Sequence, residues 1–399
     1  EPRGTGHAVQ TALAALPADL RGVVVIVAGD TPLLCTADLT AAIAAAAGSI
    51  AVVTSQVADP TGYGRIVRGP DGSVRAIVEQ RDASADQQAI NEVNAGIYVV
   101  DLNLLRGVIG RLHDDNAQGE FYLTDIIGLI VADGGTVAAC RIPESCILGV
   151  NDRAQLAAVS AVMRDRLVHN LMVDGVTVVD PTSVWVDCTV TVEPDAVLLP
   201  NVQLLGTTAV ATAATIGPDC TLTDTAVGVG ATVVRTTAVG ADIGAAATVG
   251  PYTYLRPGTV LHEGAKAGGF VEIKNSELGR DAKVPHLSYV GDATIGEGSN
   301  IGAATVVVNY DGVSKHHTTI GKHVRIGSDT MLIAPVTVGD GAYTAAGSVI
   351  TDDVPAGAIG VARARQRNIV DWVLRRRPGT ASAEAAVADS AADSTRERR

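Results

Sequence analysis

From about Val176 to Asp353 the chain repeats every six residues: an aliphatic side chain, commonly a glycine after it, and a small residue or valine at the fifth place. The clearest unbroken register starts at Ile243-Gly, Val249-Gly, Leu255-Arg, Leu261-His, Ala267-Gly and Ile273-Lys. Further starts fall at Val284, Val290, Ile295, Ile301, Ile320, Ile326, Leu332, Val338, Thr344 and Ile350. One Ile-Gly pair is an ordinary turn. A register held over many hexads predicts a parallel β-helix with three short faces per coil, each aliphatic residue pointing into a narrow prism and stacking on its copy one coil away. Glycine is expected at the tight corners. The composition agrees: 47% of residues are hydrophobic but only 3% aromatic, with two Phe and two Trp, so the core is built from Ala, Val, Ile and Leu. The repeat breaks at Tyr310–Thr319, a polar excursion carrying Asp311, Lys315, His316 and His317, and loops inserted in a solenoid lie on a binding face.

The first 150 residues read differently. Gly22–Val27 is a continuous apolar run, Ala28-Gly-Asp-Thr-Pro32 a turn, Ala37–Ala47 a helix former and Ile50–Thr54 a second apolar run. That β-α-β order predicts an α/β domain with a parallel sheet. Ligands of such sheets sit at the strands' C-terminal ends, where Asp30 falls. Leu156, Val159, Val162, Met163, Leu167 and Leu171, at three- and four-residue spacing, predict a connecting helix over Asp152–Val173. Thr380–Arg399 lacks periodicity and is expected to be disordered.

A net charge of −13 disfavours nonspecific nucleic-acid binding, so anionic ligands must be met locally. Cys35, Cys140, Cys146, Cys188 and Cys220 are scattered and form no C-x-x-C pair, which points away from a disulfide framework or structural zinc and toward a reducing cytoplasm. Thr40–Val53 is too short and too broken to span a bilayer, and no signal-peptide pattern is present. The chain begins Glu-Pro-Arg-Gly-Thr-Gly without an initiator Met.

An α/β domain, a helical arm and a hexapeptide coil with one inserted loop, in that order, resemble the bacterial bifunctional N-acetylglucosamine-1-phosphate uridyltransferase/glucosamine-1-phosphate acetyltransferase family. The resemblance covers nearly the whole chain. It rests on the ordered succession of Gly4-Thr-Gly-His-Ala8, Gly29-Asp-Thr-Pro32, Gly62-Tyr-Gly-Arg65, Val78-Glu79, Glu92-Val-Asn-Ala-Gly96, Asn116-Ala-Gln-Gly-Glu120, Gly149-Val-Asn151, Tyr254-Leu-Arg-Pro257, Val271-Glu-Ile-Lys-Asn275, His286-Leu-Ser-Tyr289, Asn309-Tyr-Asp-Gly312 and Gly327-Ser-Asp-Thr330. It implies a truncated Rossmann-like nucleotidyltransferase domain over 1–152, a linker helix over 153–173, a left-handed parallel β-helix acetyltransferase domain over 174–362, a C-terminal segment over 363–378 and a disordered tail over 379–399.

By that resemblance the first domain joins N-acetylglucosamine 1-phosphate to UTP. Gly4 and Thr5 border the uracil, Asp30 and Asn151 hold Mg²⁺, and Gly64, Glu79, Asn94 and Asn151 contact substrate. A metal on hard oxygen ligands suits in-line attack on a phosphate. The family's first strand and Gly-rich phosphate loop are expected before Gly4, where only Glu1-Pro-Arg stands. The expectation is therefore that this polypeptide lacks useful uridyltransferase activity and that its first domain folds poorly.

The second domain, by the same resemblance, transfers acetyl from acetyl-CoA to glucosamine 1-phosphate. His286 aligns with the family's catalytic histidine, an imidazole able to accept the amine proton near neutrality, and Glu272 is expected to orient it. Arg256 and Lys274 bind the sugar phosphate, Tyr289 and Asn300 the sugar, and the Ala303 N–H serves the oxyanion. Asn309, Tyr310, Lys315, Ser328, Ala346 and Arg363 match acetyl-CoA positions. Trp372 lies in a segment resembling actinobacterial members, where it reaches a neighbouring site, whereas Ala364-Arg365 departs from the proline of many relatives. A homotrimer with acyl sites between subunits is implied, as is a role in supplying UDP-N-acetylglucosamine for peptidoglycan. Three rivals stand beside this reading: a nucleotidyltransferase with a non-catalytic β-helical tail, against which the full run from Arg256 to Arg363 argues; a carbonic-anhydrase-like zinc enzyme, which needs three converging histidines that the spacing of His286, His316, His317 and His323 does not offer; and a purely structural solenoid.

Overall fold

The computed structural model describes residues 3–396. It forms two compact units, Glu1–Leu167 and Val168–Arg399.

The first unit has helices α1 (Thr5–Ala14), α2 (Thr36–Ala46), α3 (Ala85–Gln88), α4 (Leu102–Ile109) and α5 (Asp125–Ala132), with α6 (Arg153–Val173) running across the division between the units. Its strands are β1 (Val23–Ile26), β2 (Ile50–Gln56), β3 (Arg65–Arg68), β4 (Val74–Val78), β5 (Glu92–Asp101) and β6 (Ala138–Arg141). The sheet is mixed, which corrects the expectation of a parallel one. β5 is antiparallel to β2 along one edge and gives its other edge to β1 and β3, both antiparallel; β6 alone pairs in parallel, with β2. β1 and β2 do run the same way, as a β-α-β crossover requires, but the crossover leaves a slot between them that β5 fills. Strict alternation along the central strands serves both faces. Ile50, Val52, Tyr98 and Val100 pack toward Leu105, Ile126, Ile127 and Ile130, while Ala51, Val53, Ile97 and Val99 pack toward Ala42 and Ala46. Each fully buried Ile or Val contributes about 1.5–3 kcal/mol. Asp101 ends β5 and caps α4, accepting from the Asn103 and Leu104 amides.

The second unit is a three-sided parallel coil with faces of eleven, ten and nine strands. Along the expected register Ile243 pairs with Leu261, Val249 with Ala267 and Leu255 with Ile273, three hexads on in each case. All six are buried to 1% exposure or less. We call the face holding Lys283–His286 and Asn300–Ile301 the first, that holding Glu272–Lys274 and Tyr289–Gly291 the second, and that holding Glu277–Leu278 and Thr318–Ile320 the third.

Glycines turn part of the corners as expected, Gly240, Gly258, Gly264 and Gly347 being left-handed with φ of 54°, 79°, 68° and 73°, but not all of them. The corner between the first and second faces is turned by Tyr252, Phe270, Leu287, Ala304 and Asp329, all left-handed with φ between 50° and 60°. The glycine after the aliphatic residue is required for a different reason, the closeness of the next coil. A Cβ on Gly302 would meet the Ser328 nitrogen at 2.5 Å, and one on Gly327 the Ala346 nitrogen at 2.6 Å. Carbonyls freed at the corners are met by buried hydroxyls: Ser288 Oγ donates to the His286 carbonyl at 2.7 Å, and Thr305 Oγ1 to that of Gly302 at 2.7 Å.

Beyond the coil lie α7 (Trp372–Arg376) and α8 (Ala381–Arg396). The expectation of disorder over 379–399 is thus corrected for Ala381–Arg396, where alanine's helix propensity carries a segment with no apolar periodicity; residues 397–399 lie outside the described ones. Among the described residues no helix is long and apolar enough to cross a membrane.

Candidate active sites

In the first unit a cavity of about 780 Å³ opens beyond the C-terminal end of β1, lined among others by Thr5, Asp30, Gly64, Glu79, Asn94 and Asn151. Six of the seven residues expected at the nucleotide site therefore converge. Gly4 is the exception. With φ at 102° it precedes α1, and a Cβ there would meet the Phe121 carbonyl at 2.7 Å, so it seats the helix rather than lining the space.

Each lining group is held from behind. Thr5 Oγ1 accepts the Leu123 amide at 3.1 Å. Asn94 donates through Nδ2 to Tyr98 Oη at 2.8 Å and accepts the Gly96 amide on Oδ1 at 3.0 Å, which fixes the orientation of its amide. Tyr98 was not anticipated from sequence. It is 2% exposed, and burial pushes its phenol far above the ordinary range, so it stays protonated. Glu79 accepts from Thr124 Oγ1 at 3.1 Å; burial raises its carboxyl, and Asp125 and Asp82 add to the rise. Gly64 leaves that carboxylate room, since a Cβ there would stand 3.4 Å from Glu79 Oε1. The Asp30 carbonyl accepts the Val150 amide at 2.9 Å, tying the Gly149–Asn151 turn to the loop after β1. Asp30 and Asn151 thereby offer hard oxygen donors to one cavity, a donor set that fits Mg²⁺ completed by phosphate oxygens.

In the second unit His286 ends its first-face strand at the corner before Leu287, and its side chain is exposed. Along that corner, one coil at a time, follow Ala303, Ser328 and Ala346. The His286 carbonyl accepts Ala304 N, that of Ala303 accepts Asp329 N, and that of Ser328 accepts Gly347 N. Arg363 closes the row, its Cδ 3.8 Å from a Cβ built on Gly347. Among the described residues the N–H groups of Ala303, Ser328 and Ala346 have no hydrogen-bond partner, so this edge carries a ladder of free donors.

The second face carries the cations. Lys274 pairs in register with Gly291, and Arg256 donates to Glu272 Oε1 at 2.8 Å. This corrects the role expected for Glu272. It lies level with Tyr254 and Tyr289 on the second face and holds Arg256, while the His286 ring has no protein hydrogen bond among the described residues. Lys315, from the inserted loop, approaches Lys274 and lowers its ammonium below the ordinary range, with Arg256 adding to the effect. Asn309 is 6% exposed and spends its Nδ2 on Asp292 Oδ2. Tyr310 is exposed, donates to the Gly312 carbonyl at 2.7 Å and bridges to Lys315. Tyr289 Oη and Asn309 Nδ2 both crowd the position a Cβ would take on Gly291. Asn300 is not brought to this group: it stands on the first face between Lys283 and Arg325. Trp372 is 45% exposed on α7, with Arg377 over its ring. Of the other histidines, His316 meets Asp311 at 2.7 Å and His317 meets Thr294 at 3.0 Å.

Comparison with known proteins decides the family. The nucleotidyl transferase family matches residues 1–187, and the bacterial transferase hexapeptide family (six repeats) matches residues 317–352. The bifunctional protein GlmU of Mycolicibacterium gilvum is 57% identical over 392 residues, 97% of this chain and 79% of the relative. The chain belongs to the GlmU family. Another GlmU, from Rhodococcus jostii, is 54% identical over 97% of this chain and 79% of its own length. Among solved structures, LpxA from Acinetobacter baumannii matches with a TM-score of 0.24 and 17% identity over 49% of this chain and 78% of its own, too distant to carry an argument. The GlmU assignment accounts for both halves, a nucleotidyltransferase unit followed by a hexapeptide β-helix.

Proposed function

We propose that the coil transfers acetyl from acetyl-CoA to glucosamine 1-phosphate, and that the first unit is the seat of uridylyl transfer from UTP to N-acetylglucosamine 1-phosphate, giving UDP-N-acetylglucosamine and pyrophosphate; the second activity requires the first strand and Gly-rich phosphate loop that the family places before Gly4. The observation that carries the first is the row from His286 to Arg363, with its unpaired amides at Ala303, Ser328 and Ala346. Such a row matches the amide carbonyls of a pantetheine arm, and a guanidinium at its far end suits the nucleotide phosphates. The phosphate of the sugar is met, at the other end of the short second-face strand, by Arg256 and Lys274 and by Lys315, which the resemblance assigned to acetyl-CoA but which stands against Lys274. Three residues of strand separate the two ends, roughly 10 Å, and the aminosugar spans them.

In the acetyl step the neutral amine attacks the thioester carbonyl. The new N–C bond forms as His286 accepts the amine proton, the Ala303 N–H takes the developing oxyanion, and the C–S bond breaks to release CoA, whose sulfur takes up a proton. Asn300 lies around the corner from Tyr289 and Lys274, so one protomer divides the sugar contacts between two faces. That division supports a homotrimer in which a second copy closes the site.

In the first unit Thr5 meets the nucleotide while Glu79 and Asn94 hold the sugar. Glu79 in either protonation state, and Asn94 locked by Tyr98, offer oriented hydrogen bonds to hydroxyl and amide groups. Asp30 and Asn151 would hold Mg²⁺, which when bound neutralises phosphate charge. Free thiols at all five cysteines agree with a cytoplasmic site of action.

The test is two assays on the purified chain. Thiol release with acetyl-CoA and glucosamine 1-phosphate reads the first activity; pyrophosphate release with Mg²⁺, UTP and N-acetylglucosamine 1-phosphate reads the second. A chain that turns over neither pair refutes the proposal, and turnover of only the second pair favours a nucleotidyltransferase with a non-catalytic coil.

A further inference from the structure

The excursion Tyr310–His317 leaves the coil at the corner between the second and third faces, and one residue underlies both of its ends. Asp292 is 9% exposed. Its carboxylate accepts from Asn309 Nδ2, just before the excursion, and from Asn275 Nδ2 at 2.6 Å, one coil below. Its carbonyl accepts the Thr318 amide at 3.1 Å, just after the excursion, and its own N–H donates to the Lys274 carbonyl at 3.1 Å. The loop is shut at its base by the His316 amide on the Asn309 carbonyl at 2.8 Å, and the Tyr310–Lys315 bridge turns Lys315 back toward Lys274.

Resting on the reading of this corner as the sugar-phosphate seat, we infer that Asp292 is the positioning residue of the acetyl-transfer site: it anchors the loop that delivers Lys315, and its charge lets Lys315 and Lys274 stand together as one cationic seat. Two neighbouring ammonium groups repel, and the Asp292 carboxylate is the group that favours the Lys274 charge. The charged groups facing Lys274 are Lys315 and Arg256, which disfavour its charge, and Asp292, which favours it. Those facing Asp292 are Lys315 and Lys274; burial raises its carboxyl, but the two amide donors and the two ammoniums outweigh burial and leave it below the ordinary range. Arg256 is tied to Glu272 beside Tyr254 and Tyr289, and His316 is tied to Asp311. Asp292 does not touch the reacting atoms. It acts through Lys274, Lys315 and Asn309.

The experiment is the pH dependence of product inhibition of acetyl transfer by N-acetylglucosamine 1-phosphate, whose nitrogen does not titrate. In the full chain, Asp292→Asn makes the inhibition constant rise at lower pH than in the parent, by roughly tenfold at pH 9 for loss of one charge-assisted phosphate contact. Lys315→Met, at an exposed loop position, moves the alkaline rise the opposite way, because Lys274 loses its repelling neighbour, and it decides the matter if Asp292→Asn does not fold. A pH profile that superimposes on the parent's for whichever of these variants folds overturns the inference. Lys274→Ala separates this from the underlying reading: if it leaves the inhibition constant unchanged at pH 7, the phosphate seat itself is elsewhere.

Discussion

Arg256 and Glu272 sit one coil apart on the second face of the prism with Nη1 and Oε1 2.8 Å from each other. The bond is half-exposed, so it holds direction more than it stabilises the fold. Glu272 aims a guanidinium that would otherwise sweep through solvent, and the bond raises the Arg256 side chain still further above neutrality. Glu272→Gln keeps the shape but loses the charge. It should raise KM for glucosamine 1-phosphate by roughly threefold to tenfold and leave KM for acetyl-CoA unchanged, whereas Arg256→Ala should raise the same KM by roughly tenfold to a hundredfold. Steady-state thiol-release kinetics read both.

His286 is exposed at its corner and contributes nothing to the core, so its removal tests chemistry cleanly. His286→Ala should lower kcat for acetyl transfer by about 10²–10⁴-fold without changing the oligomer seen in light scattering or the rate of pyrophosphate release. Unchanged kcat would remove the imidazole from the reaction.

Gly302 separates packing from conformation. Its φ is ordinary, but a Cβ would stand 2.5 Å from the Ser328 nitrogen. Gly302→Ala should push the coils apart beside Ala303, raise KM for acetyl-CoA severalfold and lower the melting temperature. Ile273→Ala, a buried stacking residue, should cost about 2–5 kcal/mol in denaturant titration of the same unit.

Glu79 gives a pH prediction in the first unit. Its folded carboxyl is raised, chiefly by burial, so the folded state binds its proton more tightly than the unfolded chain does. That contribution is fully present below the unfolded carboxyl range and is lost as pH rises through the folded value. Glu79→Gln should therefore melt higher than the parent at pH 8 and show no advantage at pH 4. It should also weaken use of N-acetylglucosamine 1-phosphate. Identical melting differences at both pH values would contradict the buried-carboxylate account.

Tyr98→Phe removes the acceptor that fixes the Asn94 amide. A lost neutral hydrogen bond of about 0.5–1.5 kcal/mol should appear as a severalfold rise in KM for N-acetylglucosamine 1-phosphate, read by pyrophosphate release, with little change in KM for UTP.

The hexads made the coil legible, because an inward aliphatic residue at each sixth place leaves few other ways to bury it; Ile243, Val249, Leu255 and their partners stand where that argument put them. The corners that lack glycine were not legible. Tyr252, Phe270 and Leu287 adopt left-handed backbone that no local preference of Tyr, Phe or Leu announces, and it is the coil above and below that imposes it. Around the cavity, Asp30, Glu79 and Asn94 carried recognisable motifs, whereas Tyr98 carried none. Its hydroxyl matters only because β5 lies between β1 and β2, a pairing that local alternation cannot reveal. Asp292 follows Gly291 in the sequence with no motif to mark it. Its two amide partners come from neighbouring coils and become visible only once the chain has wound.

The free amides at Ala303, Ser328 and Ala346 recur with the pitch of the winding, roughly 4.8 Å per step. Four steps carry the row from His286 to Arg363, roughly 19 Å, so the coil works as a ruler whose unit is one strand spacing. Lengthening or shortening the distance that a carrier's thioester must reach would take the insertion or deletion of one whole winding, and a protein built this way can change its donor in whole steps only.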